Sequence, residues 1–274
     1  MIRMIVSDID GTLIPVGSSM SERTKKAILD CMERGVLFVP ASGRTFYGAV
    51  RPFTELGIDC PIISANGGRI DAHCRESLLF EDYIEYETSK RVCERLISAG
   101  CFMTSYVGTE VYSLPETNGY HSTCVRISEA AKTGTIDIEA QRHLLREKGT
   151  VNPYKYEAYS DDRQLLDELR CEFTAMGLSV SGAFAFNIEI MAPGAGKGRA
   201  TEYLSKKLSI PKEEIMALGD GSNDITLLNA SGFPVAMGDA ADALKAQATL
   251  IAPSAMDDGA AQVIEEYILS EKNA

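Results

Sequence analysis

Short apolar runs alternate with amphipathic helical patterns at both ends of this chain, and that alternation limits the fold more than any other feature. Over the first 80 residues, apolar runs at 2–7, 36–41 and 61–64 are separated by helical patterns at 21–34 and 45–56. Such spacing predicts right-handed βαβ units and a parallel sheet, because parallel neighbours need a crossover longer than a turn. In the first crossover, Ser21 and Glu22 open the helix, Ala27, Ile28, Cys31 and Met32 share one face, and Gly35 ends it. The pattern returns after Gly196, with a helix at 197–208, a strand at 215–218, a helix at 223–229 and a strand at 233–237.

The middle of the chain reads differently. Strand-like runs at 102–107, 155–159, 178–181 and 187–191 accompany helical patterns at 88–99 and 161–176, while 116–148 follows no clear period. The expected organisation is an α/β, Rossmann-like doubly wound parallel sheet built from 1–82 and 189–274, with an α+β domain inserted at 83–188.

Composition excludes several classes. The 274 residues are 45% hydrophobic and 24% charged, with a formal charge of −12, which fits a globular chain with a sizeable core. That acidity opposes nonspecific binding to nucleic acid or an anionic membrane. No apolar stretch approaches the roughly 18 residues of a membrane span, and Met1 to Asp8 is too short and too soon acidic for a signal peptide, so a cytoplasmic location is expected. The seven cysteines form no Cys-x-x-Cys pair and read as reduced, mostly buried thiols. His73, His121 and His143 lack ligand spacing.

Four segments carry candidate chemistry. In Asp8-Ile9-Asp10-Gly11-Thr12, directly after Met4-Ile5-Val6, two carboxylates at i and i+2 share a face of an extended chain, where a hard divalent cation would relieve their repulsion. The same string also serves as a solvated turn. Ser42 in Ala41-Ser42-Gly43-Arg44 follows a strand and offers a hydroxyl and amides to a phosphate, or simply caps a helix. Lys197 in Gly196-Lys197-Gly198 opens a helix and brings a positive charge; with Met191 and Gly198 at the diagnostic places this is no Walker A loop. Gly219-Asp220-Gly221-Ser222-Asn223-Asp224 concentrates oxygen ligands at another strand end, and Ile225 and Ser231 rule out an EF-hand.

Taken together, these four segments resemble the motifs of the haloacid dehalogenase superfamily of phosphatases, specifically the Cof-type branch with a large α+β cap. Secondary matches are Ala65-Asn66-Gly67-Gly68, Val235 to Ala240 and Asp258-Gly259; departures are Asp239 and the segment 254–258. The resemblance implies hydrolysis of small phosphorylated metabolites, sugar or cofactor phosphates, through an aspartyl phosphate with Mg2+. It makes Asp8 the nucleophile and Asp10 the acid and base, with Ser42 and Lys197 on the phosphoryl oxygens. It implies Mg2+ on Asp8, the Asp10 carbonyl and Asp220, with Asn223 and Asp224 around it, and substrate contacts from Ser42, Gly43, Arg44, Asn66, Lys197 and Asn223. The cap is expected to close on hinges near 81–83 and 191–194, and Tyr106, Tyr112, Tyr120, Phe184 or Phe186 are candidates to line its pocket. A phosphotransferase or phosphomutase of the same fold and a noncatalytic phosphometabolite-binding module are the alternatives, and a homodimer is compatible with either.

Overall fold

The computed structural model describes residues 1–114, 152–182 and 185–270. Tyr120, Phe184, His121, His143 and Cys124 lie outside the described residues. The chain divides into two compact units, 1–80 with 196–274, and 81–195.

In the first unit, β1 (Met4–Ser7) and β2 (Leu37–Pro40) flank α1 (Glu22–Glu33), and α2 (Phe46–Thr54) follows. Ser21 caps α1 by accepting from the Thr24 amide at 3.0 Å, and Thr45 caps α2 through the Gly48 amide at 3.3 Å. Next come β3 (Ile62–Ser64), β4 (Arg69–Asp71) and β5 (Leu78–Glu81).

The inserted unit runs α3 (Tyr86–Ser98), β6 (Phe102–Val107), β7 (Glu110–Leu114), β8 (Lys155–Tyr159), α4 (Arg163–Ala175), β9 (Ser179–Ser181) and β10 (Asn187–Met191). The first unit then resumes with α5 (Lys197–Leu208), β11 (Ile215–Gly219), α6 (Ile225–Asn229), β12 (Phe233–Ala236), α7 (Asp242–Lys245), β13 (Leu250–Ile251) and α8 (Gly259–Ile264).

The central sheet has the order β13-β12-β11-β1-β2, with every pairing parallel. From β1 the chain builds outward to β2 on one side, and β11, β12 and β13 build outward on the other. Chain order therefore reverses between β1 and β11, the place where open parallel sheets bind ligands beyond their carboxyl ends. Met4, Ile5 and Val6 are all fully buried, as a central strand covered on both faces requires.

One element departs from expectation in part. The run at 61–64 lies parallel to the end of β2, as expected, but it also pairs antiparallel with β4, Ile62 opposite Asp71 and Ser64 opposite Arg69. Its link to the β2 end is a single parallel bridge, Ala41 to Ile63. The turn at Ala65–Gly67 between β3 and β4 is short enough to fold the chain straight back, so β4 takes the free edge of β3.

In the inserted unit the antiparallel order is β7-β6-β8-β10-β9. Alternation splits its faces. Met103, Tyr156, Ala158, Ile188 and Ile190 pack with Val92 and Leu96 of α3 and Leu166, Leu169 and Phe173 of α4. Lys155, Glu157 and Glu189 occupy alternate positions on β8 and β10 and form a buried polar group. Lys155 Nζ lies 2.6 Å from Glu189 and 3.2 Å from Glu157, and Tyr106 donates to Glu157 at 2.7 Å.

Candidate active site

All four candidate segments belong to the first unit, and three of them reach the site from strand ends. Asp8 follows β1 directly, and its amide donates to the Leu218 carbonyl of β11 at 2.9 Å, so the exit of β1 is tied to the strand that leads to Asp220. The chain then folds back on itself: Leu13 and Ile14 amides both donate to Ile9, and Gly11 donates to Ile14 at 2.8 Å. Gly11 has a φ of +82°, and a Cβ there would stand 2.3 Å from Asp220 Oδ2. Glycine is required both by the turn and by this approach.

Lys197 enters by another route, as the first residue of α5. Its side chain is fully buried, and Nζ donates to Asp8 Oδ1 at 2.5 Å and to Asp224 Oδ1 at 2.6 Å. The other oxygen of Asp224 accepts from the amides of Asp220 at 3.1 Å and Gly221 at 2.9 Å, which fixes the loop after β11. Asp220 in turn accepts from the Thr12 hydroxyl at 2.8 Å. Carboxylate oxygens of Asp8, Asp220 and Asp224 lie within 4.8 Å of one another, a group that could hold a metal ion.

Electrostatics follow from burial. Loss of solvent pushes the Asp8 carboxyl well above the ordinary carboxylate range; Lys197 opposes this, while Asp224 and Asp220 add to it. Burial raises Asp220 to about 6, again reinforced by Asp224 and opposed by the Thr12 hydroxyl and Lys197. For Lys197, burial works against the charge, but Asp224 and Asp8 outweigh it and hold its pKa above the ordinary lysine value. The ammonium is charged throughout the neutral range.

The remaining predicted residues form a second row. Ser42 is buried; its amide donates to Ile63 at 2.9 Å, its hydroxyl accepts from the Arg44 amide at 3.2 Å, and its carbonyl accepts from the Asn66 amide at 2.9 Å. Asn66, at φ +55°, accepts through Oδ1 from Asn223 Nδ2 at 3.2 Å. This chain of bonds runs from Ser42 to the residue beside Asp224, with Gly43 in the turn between Ser42 and Arg44. Gly67 follows at φ +94°, so close to α5 that a Cβ would lie 2.3 Å from the Gly196 carbonyl oxygen.

Asp10 stands apart from the metal-competent group. Its carboxylate is gripped by Arg44, Nε to Oδ2 at 2.7 Å and Nη2 to Oδ1 at 2.5 Å. Arg44 is itself held by Nη1 donating to the Gly48 carbonyl at 3.1 Å. The two carboxylates of the Asp8-x-Asp10 string therefore answer to different cations. Sequence reasoning did not single out Thr12 as a partner of Asp220; its place in the string after Gly11 was visible, but the bond spans two strand ends that only the fold brings together. Of the cap aromatics, Tyr112 packs on the helix-side core, Tyr106 is bound to Glu157, and Phe186 stacks at 6.4 Å on Tyr159.

A parallel sheet that gathers three carboxylates and a buried lysine beyond its switch point has the framework of a haloacid dehalogenase-type hydrolase. The chain belongs to the haloacid dehalogenase-like hydrolase family, whose model matches residues 5–264, and within it to the Cof-type phosphatases. It is 27% identical over 286 residues to 5-amino-6-(5-phospho-D-ribitylamino)uracil phosphatase YwtE of Bacillus subtilis, covering 97% of this chain and 98% of that one. It is 26% identical over 275 residues to pyridoxal phosphate phosphatase YbhA of Escherichia coli, covering 97% and 99%. The solved structure of a haloacid dehalogenase-like hydrolase from B. subtilis matches with a TM-score of 0.85 at 25% identity, covering 97% of this chain and all of that one. Among the described residues no helix is long and apolar enough to cross a membrane.

Proposed function

We propose that this chain is a Mg2+-dependent phosphatase of small phosphorylated metabolites, acting through an aspartyl phosphate on Asp8. The observation that carries the reading is Lys197 Nζ, buried between Asp8 at 2.5 Å and Asp224 at 2.6 Å, in a group where Asp8, Asp220 and Asp224 converge within 4.8 Å. Lys197 offsets one of the three negative charges, and a divalent cation matches the other two. An all-oxygen donor set suits Mg2+, which shares its shell readily with substrate phosphate. Asp8, the Asp10 carbonyl and Asp220 would hold it, and Asn223 and Asp224 would support the set. When bound it supplies positive charge to the phosphoryl oxygens and keeps the nucleophile ionised.

In the first half-reaction an Asp8 carboxylate oxygen forms a bond to phosphorus while the ester P–O bond breaks, and Asp10, protonated once the Arg44 fork has opened, gives its proton to the departing alkoxide oxygen. Asp10, now ionised, takes a proton from water as that water attacks the phosphoryl group; the bond to Asp8 breaks and inorganic phosphate leaves. Lys197 and Ser42 stabilise the charge that grows on the equatorial oxygens. Asn66 supports a substrate contact: its Nδ2 is buried without a partner among the described residues, a state that costs about 1–3 kcal/mol unless a ligand oxygen accepts from it. The two named relatives point to ribityl-type and pyridoxal-type phosphates as first substrates.

The test is phosphate release with Mg2+ from a panel including pyridoxal phosphate, a ribitylamino-uracil phosphate and hexose phosphates, comparing the wild type with Asp8→Asn. Release that requires Mg2+ and disappears in the variant is the expected result. Transfer of phosphate to an acceptor sugar, or tight binding with no turnover of any substrate, would overturn it.

A further inference from the structure

We propose that Cys60 and Cys74 are a redox modification site, joined in a reversible disulfide when the protein meets a hydroperoxide. Both thiols are free, and their sulfurs are 3.9 Å apart on the chains that flank the β3–β4 pair. The two chains are already tied at this level, because the Cys74 amide donates to the Asp59 carboxylate at 2.9 Å and Cys74 Sγ points at the Cys60 carbonyl at 3.6 Å. A disulfide has an S–S distance of about 2.05 Å, so closure asks the two sulfurs to approach by roughly 2 Å.

The pair also has the chemical asymmetry that thiol oxidation needs. The contact with Cys60, against burial, brings the Cys74 thiol down to about 7, while the same contact together with burial pushes the Cys60 thiol up. Cys74 is the more open of the two, at 7% exposure against 2%. Both are buried, and Cys74 attacks first because the thiolate is the nucleophile. Cys74 sulfur displaces hydroxide from the peroxide O–O bond and becomes a sulfenic acid. Cys60 then attacks that sulfur, the S–S bond forms, and the hydroxyl leaves with the Cys60 proton as water. Two electrons pass from the sulfurs to the peroxide, and an external dithiol reverses the step. The other described cysteines sit elsewhere: Cys31 on α1, Cys93 on α3, Cys101 after α3 and Cys171 on α4. The closed loop contains the Ala65–Gly67 turn, so oxidation staples the hairpin that carries Asn66.

The experiment uses the full chain, reduced, exposed to graded hydrogen peroxide, alkylated and mapped by mass spectrometry without reductant. The expected result is a Cys60–Cys74 cross-linked peptide pair, lighter by two hydrogens than its parts and lost on dithiothreitol treatment, formed at oxidant levels that leave exposed Cys171 alkylatable. In Cys60→Ser, Cys74 should instead be trapped by dimedone as the sulfenic acid. Recovery of Cys60 and Cys74 as free thiols after Cys171 is oxidised, or linkage of either to another cysteine, would overturn the proposal. The mapping needs no substrate, so it stands apart from the phosphatase reading.

Discussion

Arg44 holds the Asp10 carboxylate at both oxygens, 2.7 Å and 2.5 Å, while its remaining guanidinium nitrogen is anchored to the Gly48 carbonyl. The fork holds the ionised Asp10 carboxylate in place, the form that takes a proton from water in the second half-reaction, and a lysine in the same position would supply charge without the fork. Arg44→Lys should therefore lower kcat about tenfold, near 1.4 kcal/mol of barrier, with little change in KM. Steady-state kinetics decide the point: a rise in KM at unchanged kcat would put Arg44 on the substrate instead.

Lys197→Ala should lose on the order of a hundredfold in kcat/KM, the usual worth of one charged group on a developing phosphoryl charge. It should also destabilise the metal-free fold by roughly 3 kcal/mol, because Asp8 and Asp224 are left buried without their cation. Denaturant melts in EDTA report the second effect separately from activity, and retention of more than half the activity would remove Lys197 from the mechanism.

Gly11→Ala places a methyl 2.3 Å from Asp220 Oδ2 and forces alanine to φ +82°. Asp220 must give way, so Mg2+ affinity should fall about 10- to 100-fold, the scale of a displaced supporting group at a metal site. Isothermal titration with Mg2+ measures this directly; unchanged affinity would mean that Asp220 does not hold the ion.

Without cation, the folded Asp220 carboxyl is raised by burial to about 6 from an ordinary 3.8, and Asp8 is raised in the same sense. Between those values the folded state binds more protons than the unfolded chain, so the contribution of Asp220 to stability falls as pH rises through that window. Mg2+ needs the ionised carboxylates and reverses this penalty above it. The rise in melting temperature on adding Mg2+ should accordingly be larger at about pH 7.5 than at about pH 4.5, read by thermal melting against EDTA. Equal shifts at the two pH values would count against the cluster as the binding site.

Much of the first unit was legible because β1, β2, β11 and β12 are apolar runs separated by helical periods, and α5 begins at the lysine where its pattern starts. The antiparallel partner of β3 was not, since an apolar run of three residues has the same appearance in a parallel and an antiparallel pair. Strands β4, β5 and β7 escaped notice because they carry charged or exposed residues such as Arg69, Asp71, Glu81 and Glu110. At the site, the residue types were readable from local strings, but their partners were not. Arg44 with Asp10, Thr12 with Asp220 and Cys60 with Cys74 are contacts between residues that only the folded chain makes neighbours.

The approach of Gly67 to the Gly196 carbonyl couples two turns that are distant in the chain. Any side chain at Gly67 would press on the turn that delivers Lys197, so a substitution at a residue with no chemistry of its own is felt at the buried ammonium, and glycine there is as much a requirement of the site as the lysine itself.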